Sequence, residues 1–254
     1  MQNIHLHKNY EHLKTDILEC IAHFNTKGNY VTKGERNVIK SYKIGAETLN
    51  IKSFKTPKLI NSFVYKHIRK SKAKRSFEYA IKLKDCNILT PFPIGYVENT
   101  TVSGLTSSYY ISKHVDYDFD FRVLIHNPLF DNRDEILKQF TQFTYQLHEN
   151  NINFLDHSPG NTLIIENGPK YDFYLIDLNR MQFETMDLTK RMGNLKRLWL
   201  SKKMIRIIAT EYARISDYSF EDVYNQLLTS SQDFKRKINR KKYLKRKYLK
   251  KGKK

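Results

Sequence analysis

The sequence predicts an α+β chain in two parts, a small strand-rich first half and a mainly helical second half. Three observations carry that prediction. Apolar and polar residues alternate through much of Tyr30 to Lys55, as in half-buried strands. Ile136, Phe140, Phe143 and Leu147 recur at steps of four, three and four, which places them on one face of a helix. Between the two regions Thr90-Pro91-Phe92-Pro93 forms a stiff connector, because each proline restricts its predecessor to extended geometry.

Taken in order, Leu13, Ile17, Ile21 and Phe24 have near-helical spacing that Gly28 is placed to end. Strands are expected at Val31, at Val38-Ile39 and over Thr48 to Phe54, with turns at Lys33 to Asn37 and near Gly45. Ser62 to Lys84 reads as one long or bent helix with a basic surface, in which Glu78 is the only acid. Strands follow at Ile94 to Val97 and Tyr109 to Ser112, divided by a polar loop around Asn99 to Gly104, and Lys113 to Asp118 leads out of them. A helix runs from near Asp134 to Asn150-Asn151. Thr162 to Ile165 and Phe173 to Asp177 are then short strands either side of the turn Glu166-Asn167-Gly168-Pro169. Leu188 to Ile208 is helix-like, and Ser219 with Asp222 caps a last helix carrying Val223, Leu227 and Leu228.

Composition sets the class. With 254 residues, a hydrophobic fraction of 40% and 15 Phe beside 17 Tyr, the chain can build a real core. No run approaches the roughly 18 apolar residues of a membrane span, and Met1 to Tyr10 has no apolar signal core, so a cytosolic setting is expected. Cys20 and Cys86 are isolated and read as reduced packing residues. The net charge of +19 is uneven, since Lys235 to Lys254 holds 13 Lys or Arg and no acid. Basic clusters there alternate with IN, YL and YL every five residues, so apolar pairs turn by about 140° around a helix and share no face. Such a tail suits phosphate-rich surfaces, either anionic lipid or nucleic acid; a solvated, disordered tail is the plainer alternative.

The chemistry lies between His148 and Arg180. Asp156 follows the apolar run Ile152 to Leu155, Asn161 comes five residues later, and Asp177 closes the strand Phe173 to Ile176. That order and spacing are those of a kinase catalytic loop and its metal-binding aspartate. A loose phosphoryl-transfer transition state asks the protein mainly to position a hydroxyl and to neutralise phosphate charge. One carboxylate can accept the hydroxyl proton. An amide oxygen and a second carboxylate are the hard ligands that magnesium prefers. Asp156 is therefore the candidate base, with Asn161 and Asp177 the candidate metal ligands.

The segments LDHSPGNTL and FYLIDLNRM, with SKAKRSFEYAIKL upstream, resemble the lipopolysaccharide core kinase family, the Kdo kinase and WaaP-like branch of the protein-kinase-like superfamily. The resemblance implies a two-lobed kinase-like fold with a β-rich N-lobe over 30–112 and a hinge and helical C-lobe over 113–234. It leaves 1–29 as a helical segment and 235–254 as a disordered polybasic tail. It implies ATP and Mg2+ as cofactors and a sugar hydroxyl of the inner core, on Kdo or heptose, as acceptor. Lys52 resembles the strand lysine that contacts the α and β phosphates, with Lys55 as a competitor, and Glu78 its carboxylate partner; a helix-surface pair with Lys74 or Lys82 is the plainer reading of Glu78. Gly34 would sit in the turn over the phosphates, and the backbone of Lys113 and Val115 would meet the adenine.

Where this sequence departs from ordinary protein kinases, it points away from a protein substrate. Phe154 and Leu155 stand at the catalytic-loop histidine and arginine, Ser158 at the lysine, and Asn179 at the glycine after the metal-binding aspartate. Arg180, Arg191 and Arg197 are candidates to face an anionic sugar, with plain surface solvation as the alternative. Expected partners are a lipid-linked sugar and the anionic cytosolic face of the inner membrane. A kinase for a protein or another small hydroxyl compound, and a non-catalytic nucleic-acid-binding protein, remain alternatives.

Overall fold

The computed structural model describes residues 1–34, 37–55, 70–102 and 104–249. They form two compact units, one of Met1–Asp116 with Ile176–Asn179, the other of Tyr117–Leu175 with Arg180–Lys254.

The first unit is built on a six-stranded antiparallel sheet. Its strands are β1 (Gln2–Leu6), β2 (Asn29–Lys33), β3 (Asn37–Ile44), β4 (Glu47–Phe54), β5 (Pro93–Thr101) and β6 (Gly104–Lys113), in the order β1-β5-β6-β4-β3-β2. Side chains alternate across a strand, and β4 shows the result. Leu49 and Ile51 join a core with Ile17 and Ile21 of helix α1 (Lys14–Ala22), whereas Phe54 packs with Ala73 and Phe77 of helix α2 (Lys72–Asp85). Lys52 and Phe54 share a face of the pleat, so the period-two pattern sends this lysine to the α2 side of the sheet.

The strands expected in this half are present. The amino-terminal segment differs from the purely helical reading: β1 pairs with β5, with Leu6 opposite Gly95, and α1 contributes to the sheet's core. Short strands of mixed polarity give no clear periodicity, which hid β1. Strands β5 and β6 are longer than expected because Asn99 to Thr101 continue the ladder through polar side chains. Of the expected helix 62–84, residues 62–69 lie outside the described residues, and the rest begins at Lys72, where the Ser71 side chain accepts from Lys74 N at 3.0 Å.

The second unit is mainly helical. Helix α3 (Arg122–His126) precedes α4 (Arg133–Glu149), whose Ile136, Leu137, Phe140 and Leu147 are fully buried. Each such side chain contributes about 1.5–3 kcal/mol on leaving water. Strands β7 (Phe119–Asp120), β9 (Thr162–Asn167) and β10 (Lys170–Leu175) form a small sheet, and β8 (Ile152–Phe154) pairs with β11 (Met181–Phe183). Helix α5 (Leu188–Leu195) ends in a 3-10 turn, Lys196–Leu198. The continuous helix expected to Ile208 is interrupted by Trp199, at φ 60°, before α6 (Lys202–Arg214) restarts on the Ser201 cap. The Ser219 cap holds: its hydroxyl accepts from Asp222 N at 3.1 Å.

Helix α7 (Phe220–Leu249) corrects the reading of the tail as disordered over 235–249, and 250–254 lie outside the described residues. Val223, Leu227 and Ser231 are buried, and from Asn239 to Tyr248 every residue is exposed. The tail has no proline and no glycine before Gly252, and Lys, Arg and Leu are good helix formers, so a helix nucleated on the core propagates outward. Among the described residues no helix is long and apolar enough to cross a membrane.

Candidate active site

In the first unit, Lys52 and Asp177 are brought together. Lys52 Nζ donates to Asp177 Oδ1 at 2.6 Å, and Asn179 Nδ2 donates to the same oxygen at 2.6 Å. Asp177 adopts φ 59°, a left-handed conformation that a non-glycine residue holds only where its surroundings fix it. One such fixture is the buried Arg75 of α2, whose Nη1 donates to Asn179 O at 2.8 Å. Arg75 lies in the basic stretch of the expected helix 62–84, and only the burial of its side of the helix distinguishes it from its neighbours.

The expected Lys52–Glu78 pair is not formed. Glu78 instead takes both its bonds from Lys70 Nζ, at 2.8 and 2.9 Å. At 100° per residue Glu78 stands about 140° from Ala73 around α2, off the packed stripe, and it is half-buried beside the exposed Lys70. Lys52 meanwhile has a carboxylate already at hydrogen-bonding distance.

Gly34 lies just after β2, its N–H donating to Asn37 O at 3.2 Å; the rest of that turn, Glu35 and Arg36, lies outside the described residues. The first residue of the expected hinge still belongs to the sheet. Lys113 is the last residue of β6, and its N–H is occupied by Phe92 O at 2.9 Å. Val115 lies beyond the strand and is half-buried.

In the second unit, Asp156 and Asn161 stand on one loop between β8 and β9. Asn161 Nδ2 donates to Asp156 O at 2.8 Å, which closes the loop and turns the amide so that Oδ1 is the acceptor atom. Asp156 carries two arginines: Arg197 Nη2 is 2.8 Å from Oδ1, and Arg180 Nη1 is 3.6 Å from Oδ2. Next to this loop the Arg122 guanidinium, itself paired with Asp120, lies where a Cβ on Gly160 would stand. Arg191, the third candidate for an anionic ligand, is tied down elsewhere by Glu149, Tyr212 and Met186 O.

The loop rests on residues that sequence reading passed over. Asn194 of α5 donates through Nδ2 to Phe154 O at 2.9 Å, so its Oδ1 is the acceptor. His157 presents Nδ1 to that oxygen at 2.9 Å and His148 presents Nε2 at 3.4 Å. Both imidazoles are fully buried, and burial pushes His157 down to about 4 and His148 to about 3. They are neutral scaffolding. The one hint in the sequence was the histidine directly after Asp156.

Each candidate metal ligand carries the kind of oxygen that magnesium prefers. Asn161 Oδ1 and the Asp177 carboxylate are hard oxygens, and among the described residues no cluster of three or more His, Cys, Asp or Glu offers an all-protein metal cage. Magnesium is commonly bound by one or two such side chains with phosphate oxygens and water supplying the rest.

A β-rich unit carrying the lysine, followed by a helical unit carrying the Asp-Asn loop, defines a protein-kinase-like fold. The comparison with solved structures gives the same answer: the chain is similar to WaaP in complex with acyl carrier protein, with a TM-score of 0.65 and 13% identity over 94% of this chain and 98% of that one. A MAP kinase from Leishmania major is matched at a TM-score of 0.44 and 14% identity, over 84% of this chain and 65% of the kinase. The sequence matches no protein-family profile and no curated protein.

Proposed function

We propose that this protein is an ATP- and magnesium-dependent phosphotransferase acting on a sugar hydroxyl of the lipopolysaccharide inner core, Kdo or heptose. The observation that carries the reading is the lysine-to-aspartate pair of Lys52 and Asp177, built on a kinase-like fold that WaaP shares over 94% of the chain. In this reading Lys52 takes the α and β phosphates of ATP. Asn161 and Asp177 would hold magnesium, which when bound neutralises charge on the transferring phosphoryl group. Asp156 orients the acceptor hydroxyl and accepts its proton as the new oxygen–phosphorus bond forms, and the bond to the β–γ bridging oxygen breaks to release ADP. An aspartate is a weak base, so orientation is the larger part of its role.

Helix α7 supports a place for the enzyme at the cytosolic face of the inner membrane. Lys235 to Leu249 carries nine Lys or Arg and no acid, and each is worth about 1 kcal/mol near an anionic lipid surface. By likeness to the WaaP structure, an acyl carrier protein is a candidate partner.

The test is mass spectrometry of lipid A-core glycolipid after incubation with the protein, ATP and magnesium. A gain of one phosphate that disappears with Asp156→Ala supports the reading; no gain with any inner-core acceptor removes it. The nucleic-acid alternative predicts salt-dependent RNA or DNA affinity that survives Asp156→Asn and is lost with Lys235 to Lys254.

A further inference from the structure

We infer that Arg197, assisted by Arg180, forms an anion subsite that selects an acceptor bearing a carboxylate or phosphate close to its reacting hydroxyl. The inference rests on the phosphotransferase reading and goes beyond it by assigning acceptor recognition to named side chains.

Two guanidiniums meet one carboxylate at Asp156, leaving an excess of one positive charge. Arg180 contacts Asp156 at 3.6 Å, outside hydrogen-bonding distance, and its side chain is half exposed. Its donors are therefore not consumed by that pairing. Arg197 is different, because it is held from behind. Its guanidinium lies 5.6 Å from the centre of the Phe234 ring of α7, and the buried Nε has no hydrogen-bond partner. The neighbouring residues are fixed as well: Trp199 packs edge-on against Phe234, and Lys235 Nζ donates to Leu200 O at 2.7 Å. An arginine with so little freedom is a pre-organised donor rather than a solvated surface charge.

The reaction sharpens the argument. A base must accept a hydrogen bond from the hydroxyl it activates, at about 2.6–3.2 Å. An acceptor placed on Asp156 thus arrives beside both guanidiniums and competes with them for the same oxygens. A neutral acceptor would loosen the Arg197–Asp156 pair and return nothing. One with its own anion a few ångströms from the hydroxyl gives the displaced guanidinium a bidentate partner, the geometry arginine is built for. Arg191 is the internal contrast, since its Nε and Nη1 are engaged by Met186, Glu149 and Tyr212.

Matched acceptor pairs test this: the methyl glycoside of Kdo against its carboxamide, and a heptose monophosphate glycoside against its unphosphorylated parent, with wild type, Arg197→Gln, Arg197→Lys and Arg180→Gln. Wild type should favour the anionic member of one pair by roughly ten- to hundredfold in kcat/KM, mostly through KM. Arg197→Gln should erase that preference, Arg197→Lys should keep part of it, and the KM for ATP should stay within about twofold. Which pair shows the preference tells carboxylate from phosphate. No preference in either pair, or one that survives Arg197→Gln, overturns the subsite. Calorimetry of each glycoside without nucleotide separates the two claims. Anion binding that depends on Arg197 without any phosphate transfer overturns the kinase reading and keeps the subsite. Transfer without preference does the reverse, and neither binding nor transfer overturns both.

Discussion

Lys52 Nζ and Asp177 Oδ1 lie 2.6 Å apart, and the aspartate that receives the ammonium is held at φ 59° with Asn179 on the same oxygen. A conformation of that kind costs of order 1–3 kcal/mol. It persists because Lys52 and Asn179 engage the side chain, and Arg75 secures the backbone two residues on. The carboxylate is thereby held in place by the protein alone.

Removing the cation should therefore disorder the nucleotide site rather than merely weaken one contact. Lys52→Met is expected to reduce kcat/KM for ATP roughly a hundredfold or more. Asp177→Ala should abolish magnesium-nucleotide binding altogether. A steady-state assay reads the first and calorimetric titration with Mg-ATP the second, and an unchanged value in either variant would refute the assignment. Asp156→Ala, in contrast, should abolish turnover while ATP still binds.

Glu78→Ala separates this protein from the usual lysine–glutamate arrangement. Its partner is the exposed Lys70, and a surface ion pair is worth little. The KM for ATP should change by less than about threefold. A loss comparable to that of Lys52→Met would show that Glu78 serves Lys52 after all.

Acid should destabilise the Asp156–Asn161 loop through its buried histidines. An unfolded histidine binds its proton near 6.5, whereas His157 folded does so only near 4 and His148 near 3. The unfolded state therefore holds more protons between these limits. Stability from both residues is full above about pH 6.5 and falls as the pH drops toward 4, by at most about 1.4 kcal/mol per pH unit for each. Urea midpoints at pH 7 and pH 5 should fall less for His157→Gln than for wild type; equal declines would exclude His157 as a source.

Gly95→Ala probes the attachment of the first strand. A Cβ there would stand 2.4 Å from His5 O and 3.1 Å from Leu6 Cα, and backbone cannot swing aside. Overpacking of this kind costs about 1–3 kcal/mol. A drop in melting temperature is expected, and none would mean that β1 is not bound as described.

Deleting Lys235 to Lys254 should release the protein from phosphatidylserine-type anionic vesicles and leave neutral vesicles unaffected. Sedimentation with vesicles at rising salt measures it, and the wild-type interaction should weaken steeply between low and high ionic strength. Binding that persists after deletion would place the lipid contact elsewhere.

What the sequence disclosed, and what it withheld, divides along physical lines. Asp156, Asn161 and Asp177 stood out as candidates because phosphoryl transfer would constrain residue type and spacing along one short segment, and the structure puts the first two on one loop and the third beside Lys52. The strands around Lys52 were legible because a half-buried strand imprints a period of two. The partner of Lys52 was not, since an ammonium has no directional signature and two carboxylates, Glu78 and Asp177, were available to it. Arg75 was hidden among 45 Lys and Arg, where only burial tells a structural guanidinium from a solvated one, and Arg197 was one of three candidate arginines that the sequence could not rank. The extent of α7 was missed because solvated basic repeats suggest disorder, while helix propagation from the buried Val223 and Leu227 carries the segment onward.

The outward half of α7 has a practical side. A chain ending at Ile238 would shed ten of its 45 basic residues without exposing a single core side chain, so such a truncation should elute far earlier from a cation-exchange column and yet melt at nearly the same temperature. Trypsin, which cuts after lysine and arginine, should trim the native protein there first, and the trimmed body makes a natural starting point for crystallisation.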